Sequence, residues 1–299
     1  MRLRDFERTL PESQRWENLT LANDFMFGRI MRDPELCTEM IRRILPDMNI
    51  GHVEFTQPQK SSKYSLDTRG VRFDVYAESD NRKIFDCEVQ TTDKKDLPRR
   101  TRAYHSILGM EALEKERQQE TGKYNDMPDA FVIFICMFDP FDYGRHYYSF
   151  CNMSSEVDGL KLNDGTATIF LNAKGQADDI NGELKAFLDF MLGKTSNDPF
   201  IMRLEERLDI AKLNAKERRN YMLQKLYEWE RDSETLTKGI EKGIVQGIEI
   251  GRTQGIEIGR AQGIEIGRAD MFNSVIEFMK LNGMSEEKIN NLRASIMES

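Results

Sequence analysis

The chain has 299 residues, with 51 acidic and 43 basic side chains and a formal net charge of −8. That length allows one or two domains with a real core, and the acidic balance excludes indiscriminate binding to polyanions over the whole surface. No apolar stretch is long enough to span a bilayer and Met1–Arg8 lacks the apolar core of a signal peptide, so a cytoplasmic protein with no membrane partner is expected.

The first predicted element is a helix from about Ala22 to Leu45, with Phe25, Phe27, Ile30, Met31, Met40, Ile41, Ile44 and Leu45 near helical spacing. Asn23 or Asp24 can cap its start, and Asp33-Pro34 can break it in two. Val53–Phe55 reads as a short strand, and the polar stretch 57–68 as a loop. Two strands with clear alternation follow. In the first, Val71, Phe73, Val75 and Ala77 face one way and Arg72, Asp74 and Tyr76 the other. In the second, Phe85, Cys87 and Val89 oppose Asp86, Glu88 and Gln90. Between them Ser79–Arg82 reads as a turn. A helix is predicted from about Pro98 to Gln119, then an unbroken apolar strand from Ala130 to Phe138 that suits burial on both faces. Further strands are expected at His146–Cys151 and Thr166–Leu171, and mostly helix from Asn181 to Trp229. This α-β-β-β-α-β order points to an α/β sandwich, and the helix after Gln90 is long enough for a parallel crossover. Cys37, Cys87, Cys136 and Cys151 are scattered without metal-ligand spacing, so reduced core thiols are expected for most of them.

The hairpin carries the chemistry. Both apolar sets are odd-numbered, and a one-residue slip would turn every side chain to the other face. A turn centred on Asn81 therefore sets Asp74 opposite Glu88; a turn centred one residue earlier sets it opposite Asp86. Either way Asp74, Asp86, Glu88 and Gln90 share a face, with opposed Cβ atoms roughly 5 Å apart. Carboxylates that close share a proton or hold a cation, and hard cations such as Mg²⁺ favour oxygen ligands. A solvated acidic face is the competing reading. Lys94, Lys95, Arg99, Arg100 and Arg102 follow directly and make a basic track of the kind that grips a phosphate backbone; a charged helix start is the plainer alternative.

Several segments together resemble the recombination-promoting nuclease (Rpn) and putative transposase family of the PD-(D/E)XK nuclease superfamily. They are Asn23-Asp24-Phe25-Met26-Phe27, Arg72-Phe73-Asp74-Val75-Tyr76-Ala77, Asp86-Cys87-Glu88-Val89-Gln90, Arg100-Thr101-Arg102-Ala103-Tyr104-His105 and the apolar strand after Met127-Pro128-Asp129. The resemblance runs from about Asn18 to Met153 and more loosely to Trp229. It implies a restriction-endonuclease-like core, a mixed sheet flanked by helices, with a helical C-terminal extension. It implies that Asp74 and Glu88 are catalytic ligands of Mg²⁺ or Mn²⁺, aided by the carbonyl of Val89, with Gln90 in the superfamily's lysine position. A glutamine there can orient a water or a phosphate but cannot shuttle a proton, so more of the work falls on the metal. Asp24, Asp86 and Tyr104 are implied supporting groups, with plain core packing the alternative for Tyr104, and Arg100 and Arg102 phosphate contacts or buttresses. The implied function is Mg²⁺-dependent DNA endonuclease. The alternatives are a catalytically weak or inactive nucleic-acid-binding or regulatory protein with the same fold, and a scaffold acting through its C-terminal repeat.

That repeat is the last feature. Glycine recurs every four residues from Gly239 to Gly267, and Gln-Gly-Ile-Glu-Ile-Gly-Arg-Xaa repeats three times from Gln246 to Ala269. Each interior glycine costs a helix about 1 kcal/mol against alanine. The segment is thus read as a helix that self-associates through its small-residue stripe or as a flexible spacer, with a β-roll also allowed by Ile-Glu-Ile alternation. Two short helices, Met271–Leu281 and Glu286–Met297, are expected after it. The predicted division is a nuclease-like domain at 1–235, the repeat at 236–269 and a helical hairpin at 270–299.

Overall fold

In the computed structural model, which describes residues 3–58, 74–118 and 123–297, the chain divides into two units, Met1–Lys225 and Leu226–Ser299. A short helix α1 (Leu3–Thr9) opens the first unit. The helix expected from Ala22 to Leu45 is broken at Asp33-Pro34. Asn23 caps α2 (Asp24–Ile30) by accepting from the Met26 N–H, and Asp33 caps α3 (Pro34–Ile44) by accepting from Glu35 and Leu36. Two capped starts so close together rule out one continuous rod. Phe25, Met26, Phe27, Met40, Ile41 and Ile44 are buried.

The sheet has six strands: β1 (Val53–Pro58), β2 (Val75–Ser79), β3 (Lys83–Gln90), β4 (Asp129–Cys136), β5 (Tyr147–Phe150) and β6 (Thr166–Asn172). Their order is β1-β2-β3-β4-β6-β5. β1, β2 and β3 form an antiparallel meander, β3-β4 and β4-β6 are parallel, and β5 returns antiparallel to β6 at the edge. Helix α4 (Leu97–Gln118) makes the crossover from β3 to β4. Val71, Arg72 and Phe73, expected to begin β2, lie outside the described residues, as does most of the expected loop at 57–68; its first two residues belong to β1.

Burial on the even-numbered face of the meander departs from simple alternation. Tyr76, Ile84, Val132, Phe134 and Cys136 join Leu97, Tyr104, Leu108 and Ala112 of α4 in one apolar cluster. The face carrying Asp86 and Glu88 is therefore covered, and the solvated acidic face does not occur. β3 is buried on both sides through its six central residues, and β4 from Ala130 to Cys136, as its apolar run predicts. The sheet is enclosed by helices, the mixed α/β architecture expected from the element order. Cys37, Cys87 and Cys136 are buried thiols, and Cys151 is exposed.

Beyond β6 the chain forms α5 (Gly182–Met191), α6 (Pro199–Leu213) and α7 (Ala215–Leu281). Buried Trp16 donates to the Lys212 carbonyl and contacts Phe25 and Tyr221, which ties the start of α7 to α2. The glycine repeat lies within α7 and is helical, not a β-roll. Met271–Leu281, expected as a separate short helix, is the end of the same α7, because no residue between Ala269 and Met271 interrupts the backbone ladder. Gly283, at φ +72°, turns the chain into α8 (Glu286–Met297), and Ile276 and Ile289 are buried in this second unit.

Candidate functional site

The hairpin adopts the register centred on Asn81: Val75 faces Cys87 and Ser79 faces Lys83. Continued by one residue, it sets Asp74 across from Glu88. Two hydrogen bonds interlock the strands there. The Asp74 N–H donates to Glu88 Oε1 at 2.9 Å, and the Val89 N–H donates to Asp74 Oδ2 at 3.0 Å. Each carboxylate is thus held by the backbone of the opposite strand, and the pair cannot drift apart without opening the hairpin end.

Helix α4 supplies the other wall. Arg100 and Tyr104 are four residues apart and so share a helix face. The Tyr104 hydroxyl donates to Glu88 Oε2 at 3.1 Å, while Arg100 donates to the Tyr104 oxygen at 2.6 Å and to Gln90 Oε1 at 3.0 Å. The same guanidinium lies 3.5 Å from Glu88 Oε2 and packs over the rings of Tyr104 and Phe134. Arg100 was expected in the basic track. The resemblance also gave it as a phosphate contact or a buttress; its particular partners, Glu88 and Gln90, are not legible in the sequence.

Electrostatics follow from enclosure. Asp86 is fully buried and neither of its oxygens makes a well-formed hydrogen bond among the described residues. Burial, and then the charge of Asp74, push its carboxyl well above the usual carboxylate range, with Glu88 and Arg100 offsetting part of that. Glu88 is 2% exposed. Burial, and then Asp86, raise its pKa too, against the opposing pull of the Asp74 N–H, Arg100 and Tyr104. Burial disfavours the charged form of both groups. A hard cation would favour the ionised forms and give the Asp86 oxygens an electrostatic partner, so these residues fit one. The oxygens that would face such an ion are those of Asp74 and Glu88, with the carbonyl of Val89 next in sequence. Among the described residues, no group of three or more His, Cys, Asp or Glu side chains converges into a metal cluster.

The remaining expected residues are dispersed. Lys94, Arg99 and Arg102 are exposed on the segment that leads into α4 and along its first turns. Lys95, at φ +56°, pairs with Asp93 at 2.7 Å. Asp24 stands in the first turn of α2, and no hydrogen bond or ion pair joins it to the hairpin among the described residues.

A restriction-endonuclease-like core with paired acids at a hairpin end is the framework of a nuclease. The chain belongs to the family described as PD-(D/E)XK nuclease family transposase, whose model matches residues 21–237. The match spans the hairpin, α4 and the sheet and stops just short of Gly239. Membership implies hydrolysis of nucleic acid. Comparison with curated proteins and with solved structures finds no match.

Proposed function

We propose that the protein is a metal-dependent DNA endonuclease of the recombination-promoting nuclease and transposase type. The observation that carries this reading is the interlock of half-buried Asp74 with buried Glu88. Asp74 and Glu88 would hold Mg²⁺ or Mn²⁺ together with the Val89 carbonyl. The bound ion supplies Lewis acidity and a water acidified toward neutral pH. The backbone donors at Asp74 and Val89 hold the two acids face to face. Gln90 orients a water or a phosphate oxygen, Tyr104 and Asp86 support Glu88, and Asp24 adds an acid from α2. The exposed Lys94, Lys95, Arg99 and Arg102 grip the DNA backbone beside the cleaved phosphate, with Arg100 among them at the site itself. The protein works in the cytoplasm, in the three parts 1–235, 236–269 and 270–299, and assembles with copies of itself through glycines 239–267. The test is cutting of supercoiled plasmid with Mg²⁺ and with EDTA. Cutting should require the metal and vanish in Asp74→Ala and Glu88→Ala; cutting unchanged in either variant would sink the assignment.

One observation favours a second reading. Both Glu88 oxygens already accept hydrogen bonds, and the neighbouring lysine position holds a glutamine. A chain that kept this closed network in the presence of metal would bind nucleic acid without cutting it. Metal titration separates the two, since only the nuclease takes up the ion at Asp74 and Glu88.

A further inference from the structure

We infer that Arg100 and Gln90 act as one unit that replaces a catalytic cation: Arg100 supplies from α4 the positive charge that Gln90 lacks on β3, and fixes the direction of the Gln90 amide. The inference rests on the nuclease reading above and concerns the phosphodiester oxygens that such a site takes.

Three observations carry it. First, Arg100 donates to Gln90 Oε1. An amide whose oxygen is claimed by a guanidinium must turn its NH₂ the other way, so Gln90 presents only donors to whatever approaches its free side. Second, the guanidinium sits 3.5 Å from Glu88 Oε2 and is joined to the same oxygen through the Tyr104 hydroxyl. It is thus a cation set against Glu88, and it competes with any other cation for that carboxylate. Third, among the described residues Arg100 spends two hydrogen bonds, on Gln90 and Tyr104. A guanidinium has five N–H donors, so the fork retains donors for a phosphate oxygen, and its side chain is 30% exposed. The rings of Tyr104 and Phe134, 5.5 and 5.7 Å from its central carbon, narrow the space it can occupy, which favours preorganised phosphate recognition.

A guanidinium that only braced α4 would lower every property of the site when removed. One that both competes for Glu88 and serves the substrate gives opposite signs. The experiment uses the full chain. Terbium luminescence titrates the acidic site without DNA, and plasmid cutting reports the reaction. Arg100→Met is expected to bind terbium several-fold more tightly while cutting about a hundredfold more slowly, the usual effect of losing one transition-state donor. Gln90→Lys placed in the Arg100→Met background is expected to recover at least about tenfold in cutting, because it returns a charge to the same place. Cutting by Arg100→Met within about twofold of the parent overturns the inference, as does a joint loss of cutting and terbium affinity or a failure of Gln90→Lys to rescue. Should Arg100→Met lose its near-ultraviolet dichroism, Arg100→Gln decides, since it keeps a hydrogen-bonding side chain and removes only the charge: slower cutting with terbium affinity retained or raised supports the role, and unchanged cutting overturns it. A parent protein that neither binds terbium nor cuts would end the nuclease reading and this inference with it; a parent that does both leaves the variants to judge Arg100 alone.

Discussion

Along β3 the acids are inside, and along α7 the isoleucines are outside. Asp86 and Glu88 are almost wholly buried, whereas Ile240, Ile244, Ile248, Ile256 and Ile258 are each more than half exposed. Both segments break the usual inside–outside rule, and they break it for opposite reasons. β3 is crossed by a helix that returns over its polar face, so its acids are enclosed and must be held by hydrogen bonds and by Arg100. The α7 repeat is built from short-range contacts, and every residue from Gly239 to Gly267 is exposed. The difference teaches that alternation reports which side chains share a face, while burial depends on what the chain later brings to that face.

The comparison can be broken at either end. The largest effect should come from the enclosed acids: Asp74→Ala or Glu88→Ala is expected to lower the cutting rate about a thousandfold or more, the several kcal/mol that a bound metal contributes, measured under single-turnover conditions. The exposed repeat comes next. An added Cβ at Gly251 or Gly255 meets nothing within 4 Å, so replacing both by alanine should raise helix stability by about 2 kcal/mol in thermal dichroism if α7 stands alone. If the stripe docks closely against a second copy, as proposed, light scattering should instead show weakened association. Deleting Gly239–Ala269 with no change in mass would reject self-association outright.

A smaller effect tests the electrostatics. In EDTA, Asp86 and Glu88 hold their protons to higher pH in the folded chain than when unfolded, because burial raises both. Their contribution to stability is therefore fully present below the unfolded-state range and is lost as pH rises through the folded values. Asp86→Asn should accordingly raise the melting temperature at pH 8, by about 2–4 °C for each kcal/mol gained, and leave it nearly unchanged at pH 4. A parent protein more stable at pH 8 than at pH 5 in EDTA, with Asp86→Asn offering no gain, would contradict the assignment of these shifts. The smallest effects belong to the exposed cations. Lys94→Ala, Arg99→Ala and Arg102→Ala should each change stability by less than about 0.5 kcal/mol and each reduce the salt slope of DNA binding by about one.

Much of this was legible beforehand. The odd-numbered apolar sets limited the hairpin to two registers, and Asn23 and Asp33-Pro34 marked the helix starts that the structure uses. The choice between registers is not legible in the turn alone, since Asn81, whose side chain accepts from the Ser79 hydroxyl within the turn, also donates to the distant Asn49 carbonyl. Covering of the acidic face had a faint signal, because Tyr76 and Ile84 are apolar residues on an otherwise polar side. The Arg100–Gln90 bond joins two elements through the crossover, and no local pattern encodes it. The continuity of α7 through Leu281 is not legible because the repeat ends at Ala269, a change of pattern that does not break a helix.

The central claim is that Asp74 and Glu88 hold a metal. Anomalous diffraction from crystals of the full chain soaked in Mn²⁺ tests it most directly. The expected result is a peak between the two carboxylates, lost in Glu88→Ala, with Arg100 drawn away from Glu88. A map in which Asp74, Glu88, Tyr104 and Arg100 keep their mutual hydrogen bonds, with no peak between the acids, would contradict it.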